Sequence, residues 1–548
     1  MGRVSSSSRL LLLWGAVSIC ALTILAYRPV WHGDFIWDDD RYVTHNNLLA
    51  APDGLRRIWF SLDAPSQYFP LAYTVLRIER ALWGLDPTGY HWVNICFHVA
   101  NALLVWRLLV RLNVPGSWLA ATIFAIHPAQ VESVAWISEL KNVLMGFFFL
   151  LTLLAWTEYV DPRWRHRSAF YATALIFCFL ALAAKSTACT LPAALLLVLW
   201  WKNKSIGRNA IIALCPFVIL ALGAGVIAVW WEHYHQGTRV LGSLPPVERL
   251  LIASRAVWFY LSKLFWPSNL TFIYPRWEIS ASDLSAFVWL LVTAAAIALI
   301  FFARRVLDRG IEVAALFFVA TLSPLLGFIM LYTFRYTFVA DHYQYIACIG
   351  PIALVAGGLV TVTAKIKNGG WFSAIVALPV VACLSLLTFR QSATYHDLET
   401  LWRSTIAKDP TSWIGYNNLG VVQFEKGEVD DAIAKYERSL QLHPNYPEAH
   451  YNLAGALLLK DAVDQAIEHC KQALQLQPNE PDALIILGNA FMAKQDVDQA
   501  IGCYSQAVAL RPDDPNGHHN LGIALEQKGE SERAAREFET AKQLGRRD

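Results

Sequence analysis

Eleven runs of mainly apolar residues fill most of the first 390 positions: roughly 9–27, 92–110, 117–136, 142–160, 169–184, 187–201, 209–231, 285–303, 311–331, 345–363 and 371–389. A helix needs about 20 such residues to cross a bilayer. In lipid every backbone N–H and C=O must be satisfied within the protein, so the runs predict membrane helices. Composition agrees, with 55% hydrophobic and only 16% charged residues over 548 positions. Many of the 22 Trp stand near the ends of these runs, where indole rings sit at the membrane interface. Arg9–Tyr27 begins like a signal peptide but has no small-x-small cleavage motif behind it, so it is read as a retained first span.

Positive charge sets the orientation. Lys and Arg gather in five short connections: Arg107 with Arg111, Arg163–Arg167, Lys202 to Arg208, Arg304 to Arg309, and Lys365 with Lys367. The positive-inside rule places these in the cytoplasm. The loops 28–90, 137–141, 232–284 and 332–344 then lie outside, the N-terminus inside and the C-terminus outside. Leu250–Trp266 is apolar but short, and both of its flanks read as external. A re-entrant or interfacial helix keeps the parity there, whereas a span would put Arg304, Arg305, Lys365 and Lys367 outside.

The remainder is water-compatible and periodic. Residues 411–548 carry 13 Lys/Arg against 21 Asp/Glu, while the first 410 carry 32 against 22. Pro410, Pro444, Pro478 and Pro512 stand 34 residues apart, as do Leu419, Leu453, Leu487 and Leu521. Small residues form two columns: Gly420, Ala454, Gly488 and Gly522, then Ala432, Ala466, Ala500 and Ala534. A bulkier column reads Tyr436, Cys470, Tyr504 and Phe538. This resembles the tetratricopeptide repeat (TPR), a helical hairpin that buries its apolar face only by stacking. The expected fold class is all-α: a polytopic membrane domain over 1–390, a connecting helix or linker over 391–410, and a four-repeat TPR solenoid over 411–548. Nine Cys show neither disulfide-like nor metal-type spacing, and no nucleic-acid partner is expected.

Unusual polar residues fall on the external side. After the first span comes Trp31-His-Gly-Asp-Phe-Ile-Trp-Asp38-Asp39-Asp40-Arg41-Tyr42. By itself such a run is a solvated turn, but Phe35, Trp37 and Tyr42 suggest a segment tucked against the membrane. Neighbouring carboxylates raise at least one pKa and suit a general base or a cation site. A second cluster holds His127, Glu132, Glu139 and Lys141. Lys185 lies between two spans, Arg255 on the re-entrant candidate, and Arg335, Asp341, His342 and Tyr343 in the last external loop. Each basic residue alone could snorkel at the interface. Together they pair carboxylates with cations on one face, which suits a departing lipid phosphate and a hydroxyl nucleophile.

The Asp38-Asp39 loop resembles the acidic motif of polyprenyl-phosphate-dependent glycosyltransferases of the C fold (GT-C). His127-Pro with Glu132 and Trp136, Lys185-Ser-Thr before Leu191-Pro192, and Asp341-His-Tyr-Gln-Tyr345 resemble motifs of one branch, the transmembrane and tetratricopeptide-repeat O-mannosyltransferases and their bacterial relatives. Ser186, Asp341-His342 and Glu139-Leu-Lys141 depart from that branch's usual Glu, Glu-Arg and Gly-Arg. The resemblance implies a multi-pass protein of a bacterial inner membrane or endoplasmic reticulum. It would move a sugar, with mannose the one implied, from a polyprenyl-phosphate donor to a protein hydroxyl outside, while the repeats hold the acceptor. Asp38, Asp39 and Glu132 would be catalytic. Lys141, Lys185, Arg255, Arg335, His342 and Tyr343 would contact the donor phosphate, with His127, Glu139 and Asp341 as further site candidates. The lipid-linked sugar is the one small-molecule requirement, and a divalent metal stays open. The alternatives are a non-catalytic membrane TPR scaffold and a GT-C enzyme that modifies a lipid-linked glycan.

Overall fold

A computed structural model describes residues 6–61, 67–161, 163, 167–202, 206–235, 244–304, 309–329, 332–366 and 369–546. Parts of the basic connections, including Arg165, Lys204, Arg305 and Lys367, lie outside the described residues. The chain forms two compact units, Met1–Leu401 and Trp402–Asp548. The described residues are helical, without strands.

The first unit contains α1 (Ser6–Ala26), α2 (Gly54–Phe60), α3 (Pro70–Trp83), α4 (Pro87–Arg111), α5 (Ser117–Ala125), α6 (Val131–Ala135), α7 (Leu140–Val160) and α8 (Arg167–Ala184). It continues with α9 (Leu191–Lys202), α10 (Arg208–His235), α11 (Pro246–Phe265), α12 (Val288–Ala303), α13 (Gly310–Leu322), α14 (Ile349–Thr363) and α15 (Gly369–Ala393). Six helices among the described residues are long and apolar enough to cross a membrane: Pro87–Arg111, Ile137–Val160, Arg167–Ala184, Arg208–His233, Leu284–Ala303 and Gly369–Ala393. Leu10–Ala26, Ser186–Lys202, Gly310–Leu325 and Ile349–Thr363 are apolar but shorter. α11, the re-entrant candidate, is not in either group; it carries Glu248, Arg249, Arg255 and Lys263.

The run 117–136 corrects the expectation of one straight span. Its helix stops at Ala125, and the chain continues through short helical pieces at Pro128–Gln130, α6 and Ile137–Glu139. The cause is Pro128, which cannot donate to a helical ladder and disfavours helical geometry at His127. Broken backbone at membrane depth is tolerated only where protein satisfies it. A polar stripe on α4 does much of this. Asn94 Nδ2 donates to the Trp136 carbonyl at 3.1 Å, and Asn101 Nδ2 to that of Val143 at 2.8 Å. His98 Nε2–H donates to the Ala125 carbonyl at 2.9 Å, which leaves Nδ1 to accept from the Tyr345 hydroxyl at 2.8 Å. Thr388 Oγ1 on α15 donates to the Ile126 carbonyl at 2.6 Å. His127 Nε2–H donates to the Leu264 carbonyl at the end of α11, 3.0 Å away.

After α16 (Leu398–Lys408), the second unit is built of α17 (Trp413–Glu425), α18 (Val429–Leu442), α19 (Pro447–Leu459), α20 (Val463–Leu476), α21 (Pro481–Ala493), α22 (Val497–Leu510), α23 (Pro515–Lys528) and α24 (Ser531–Gln543). These are four antiparallel pairs, each packed on the next. A Cβ added at Gly420, Gly488 or Gly522 would come within 2.7, 2.5 or 2.6 Å of the ring of Tyr436, Tyr504 or Phe538. The one repeat with Ala454 in that column has the smaller Cys470 in the aromatic column, and both lie in one buried cluster. The 34-residue period is thus a packing rule in which close helix approach and ring size are traded within each hairpin.

Candidate functional site

The broken segment 126–139 and the loop after α1 meet beside a cavity of about 620 Å³. One wall is apolar, from α8 and α10, with Phe179, Leu182, Ile219, Leu220 and Ile227. The other end is polar and presents Asp38, Glu139, Lys141, Lys185 and His342.

Glu139 is the hub. It is buried, and its Oε1 lies 2.8 Å from Lys141 Nζ while Oε2 lies 3.2 Å from Lys185 Nζ. His342 Nε2 stands 4.0 Å from the same Oε1. The ammonium of Lys141 also faces the rings of Tyr42 at 4.5 Å and Trp136 at 5.6 Å. A buried charge needs this many partners, because water no longer solvates it. Glu132 holds His342 twice: Oε1 sits 3.0 Å from ring Nδ1, and Oε2 accepts from the backbone N–H at 2.9 Å. Tyr343 lines the cavity, its hydroxyl 2.9 Å from Thr333 Oγ1.

The three consecutive carboxylates have three different surroundings. Asp38 lines the cavity. Burial pushes its carboxyl above the usual carboxylate range, while the charges of Lys141 and Arg41 pull the other way. Asp39 is fully buried, and both its oxygens are occupied: Oδ2 accepts from Ile36 N–H at 2.9 Å and Oδ1 from Ser138 N–H at 2.8 Å. Burial outweighs these amides and pushes Asp39 up to about 7. Asp40 is exposed and accepts from Thr44 Oγ1 at 2.9 Å. So diverging a trio does not fit a shared metal ion, and among the described residues no group of three His, Cys, Asp or Glu side chains could hold one.

The cavity thus gathers Asp38, Glu139, Lys141, Lys185, His342 and Tyr343, with Glu132 directly behind His342. It does not gather the rest. The guanidinium of Arg255 stacks on Trp277, 4.4 Å from the ring centroid, and Arg335 is exposed beside Tyr336. Asp341 is buried and accepts from the Tyr274 hydroxyl at 3.0 Å. His127 staples α11, as described. Asp39 clamps the broken segment to the first loop. The positive-inside rule predicts all of these on one side of the membrane, but position along a loop does not say which way a side chain turns.

Two contributors escaped the sequence reading. Asn142 accepts from Lys185 Nζ at 3.0 Å and donates to the His342 carbonyl at 2.7 Å, so it joins three segments. Glu232, at the end of α10, lines the cavity and accepts from Tyr332 N–H at 2.5 Å. Asn142 follows Lys141 directly and could have been suspected from that adjacency; nothing in the local sequence marks Glu232.

Comparison with known proteins adds independent findings. A tetratricopeptide-repeat family model matches residues 399–447 and 417–481, and a TPR-repeat model matches 488–529. A protein O-mannosyl-transferase of Caenorhabditis elegans is 24% identical over 455 residues, covering 78% of this chain and 63% of that protein. Protein O-mannosyl-transferase TMTC4 of Homo sapiens is 24% identical over 518 residues, covering 80% of this chain and 67% of its own length. The chain therefore spans about two thirds of the length of these relatives. Among solved structures, the crystal structure of MamA matches 27% of this chain and 85% of its own, with 25% identity and a TM-score of 0.24.

Proposed function

From the premise that this chain is a relative of the transmembrane and tetratricopeptide-repeat protein O-mannosyl-transferases, we propose that it is a multi-pass membrane glycosyltransferase of GT-C type. It moves mannose from a polyprenyl-phosphate donor to a protein hydroxyl on the external face of the membrane. The observation that carries this reading is the cavity itself. An apolar wall suited to an isoprenoid chain ends at two lysines, an imidazole and the carboxylates of Asp38, Glu139 and Glu232.

The step needs four things from the protein. Lys141, Lys185 and His342 hold the phosphate and stabilise the charge that develops on it as it leaves. Asp38 takes the proton of the acceptor hydroxyl. The acceptor oxygen forms a bond to the anomeric carbon while the bond from that carbon to the phosphate oxygen breaks. The electron pair stays on polyprenyl phosphate, and the anomeric centre inverts. Trp136 and Tyr42 keep water from the Lys141 ammonium and so strengthen its contact. No metal enters this scheme.

The basic connections on the opposite side support an N-terminus in the cytoplasm and repeats outside, where they hold the acceptor chain. The test is direct. The full chain in lipid nanodiscs, given polyprenyl-phosphate mannose and an unfolded Ser/Thr-rich acceptor, should yield O-linked hexose detectable by peptide mass spectrometry. The Asp38→Asn protein should yield about 10²–10⁴-fold less. If the wild-type chain transfers nothing while still binding acceptor through its repeats, the scaffold alternative replaces this reading.

A further inference from the structure

Two ammonium groups and an imidazole converge on one oxygen pair, and that pair belongs to the protein: Glu139 sits between Lys141 and Lys185 with His342 Nε2 nearby. Glu139 is not the sole anchor of these lysines, since Lys185 also donates to Asn142 and Lys141 faces two aromatic rings. Its consequence is electrostatic. Each lysine arrives already half-compensated. Asp38 and Glu232 add further negative charge to the lining. His342 is backed by the Glu132 carboxylate. The cationic surplus open to a ligand is therefore small.

We propose that Glu139 is a specificity-determining residue that limits the negative charge this cavity accepts, selecting donors whose sugar is joined to the lipid by one phosphodiester over those joined by a diphosphate. This deepens the donor reading above and rests on it. A sugar phosphodiester carries one charge and can share the two lysines with Glu139. A diphosphate link carries two, and its second phosphate must lie beside a carboxylate in surroundings too dry to screen the repulsion. The same residue acts on the product. Transfer turns the phosphodiester into polyprenyl phosphate, a phosphomonoester with roughly two charges near neutral pH. Glu139 then repels what it had admitted and speeds its release.

The experiment is a competition in one tube. The full chain in nanodiscs receives polyprenyl-phosphate mannose and polyprenyl-diphosphate mannose together, and acceptor labelling from isotopically distinct sugars gives the ratio of the two kcat/KM values. That ratio does not depend on how much of a variant is folded. Glu139→Gln should shift it toward the diphosphate donor by on the order of 10-fold or more. It should also lower the inhibition constant of polyprenyl phosphate by a similar factor. Glu158→Gln, whose partner is Arg111 at 2.8 Å outside the cavity, should leave both unchanged. If Glu139→Gln leaves the ratio and the product inhibition at wild-type values, the charge-limiting role is wrong even though the donor reading stands. If the wild-type chain uses neither donor and polyprenyl phosphate does not bind it, the donor reading itself fails.

Discussion

At Asp38, Asp39 and Asp40, one residue type in three consecutive places meets three environments. Only Asp38 opens into the cavity, so only its loss should remove chemistry. Asp38→Asn should lower turnover by about 10²–10⁴-fold while leaving donor binding nearly intact. Asp39→Asn should fail differently. An amide can accept from only one of the two N–H groups that the carboxylate holds, and its own NH2 faces the other. The expected cost is about 1–3 kcal/mol of stability, read as a lower unfolding temperature at near-normal turnover per folded molecule. A pH dependence follows from Asp38 as well. A base must be unprotonated to act, and burial raises this carboxyl above its ordinary range. Turnover should therefore fall as pH drops through that raised value, at a higher pH than for a solvated aspartate. An acid limb at the usual carboxylate pKa would remove Asp38 from the role.

Elements in this protein are joined by polar side chains where backbone is broken and by size-matched side chains where it is regular. The α4 stripe of Asn94, His98 and Asn101 exemplifies the first kind. The second kind can be tested in the repeats. Gly420→Ala places a methyl 2.7 Å from the Tyr436 ring, which must shift or strain. Overpacking of this sort costs about 1–3 kcal/mol. In a Tyr436→Cys background the same change should cost almost nothing, because the repeat with Ala454 and Cys470 already has that combination. Thermal unfolding of residues 402–548 across this double-mutant cycle measures the coupling. Additive effects would show that ring size does not set the glycine column.

For the whole molecule, two predictions follow from treating it as a membrane unit and a solenoid. A reporter active only outside the cytoplasm should be active when fused after Asp548 and silent after Arg165, because the positive-inside rule assigns the Lys- and Arg-rich connections to the cytoplasm. A silent C-terminal fusion in a stable protein would place the repeats where this chemistry cannot use them. Deleting 411–548 should leave a foldable membrane unit, since a solenoid rests mainly on its own neighbours. The truncated protein should bind donor but lose protein glycosylation. An unchanged rate on the normal acceptor would refute the acceptor-holding role of the repeats.

What the sequence determined by itself is whatever depends on composition and period. Apolar length specified helices, six of which among the described residues are long and apolar enough to cross a bilayer. The 34-residue columns specified the hairpin solenoid, because each column is a local packing rule repeated four times. The site was legible as a set of residue types, and Asp38, Glu139, Lys141, Lys185, His342 and Tyr343 do come together. Tertiary structure alone decided which members stay. Arg255 stacks on Trp277, Asp341 turns to Tyr274, and Asp39 is taken by two amides. It also brought in Glu232 and Asn142, and it broke the run 117–136 where a hydropathy pattern reads straight through. The physical reason is the same in each case. Hydropathy and spacing are properties of neighbours along the chain, whereas the direction of a buried polar side chain is set by whichever unsatisfied donor or acceptor the fold brings to it.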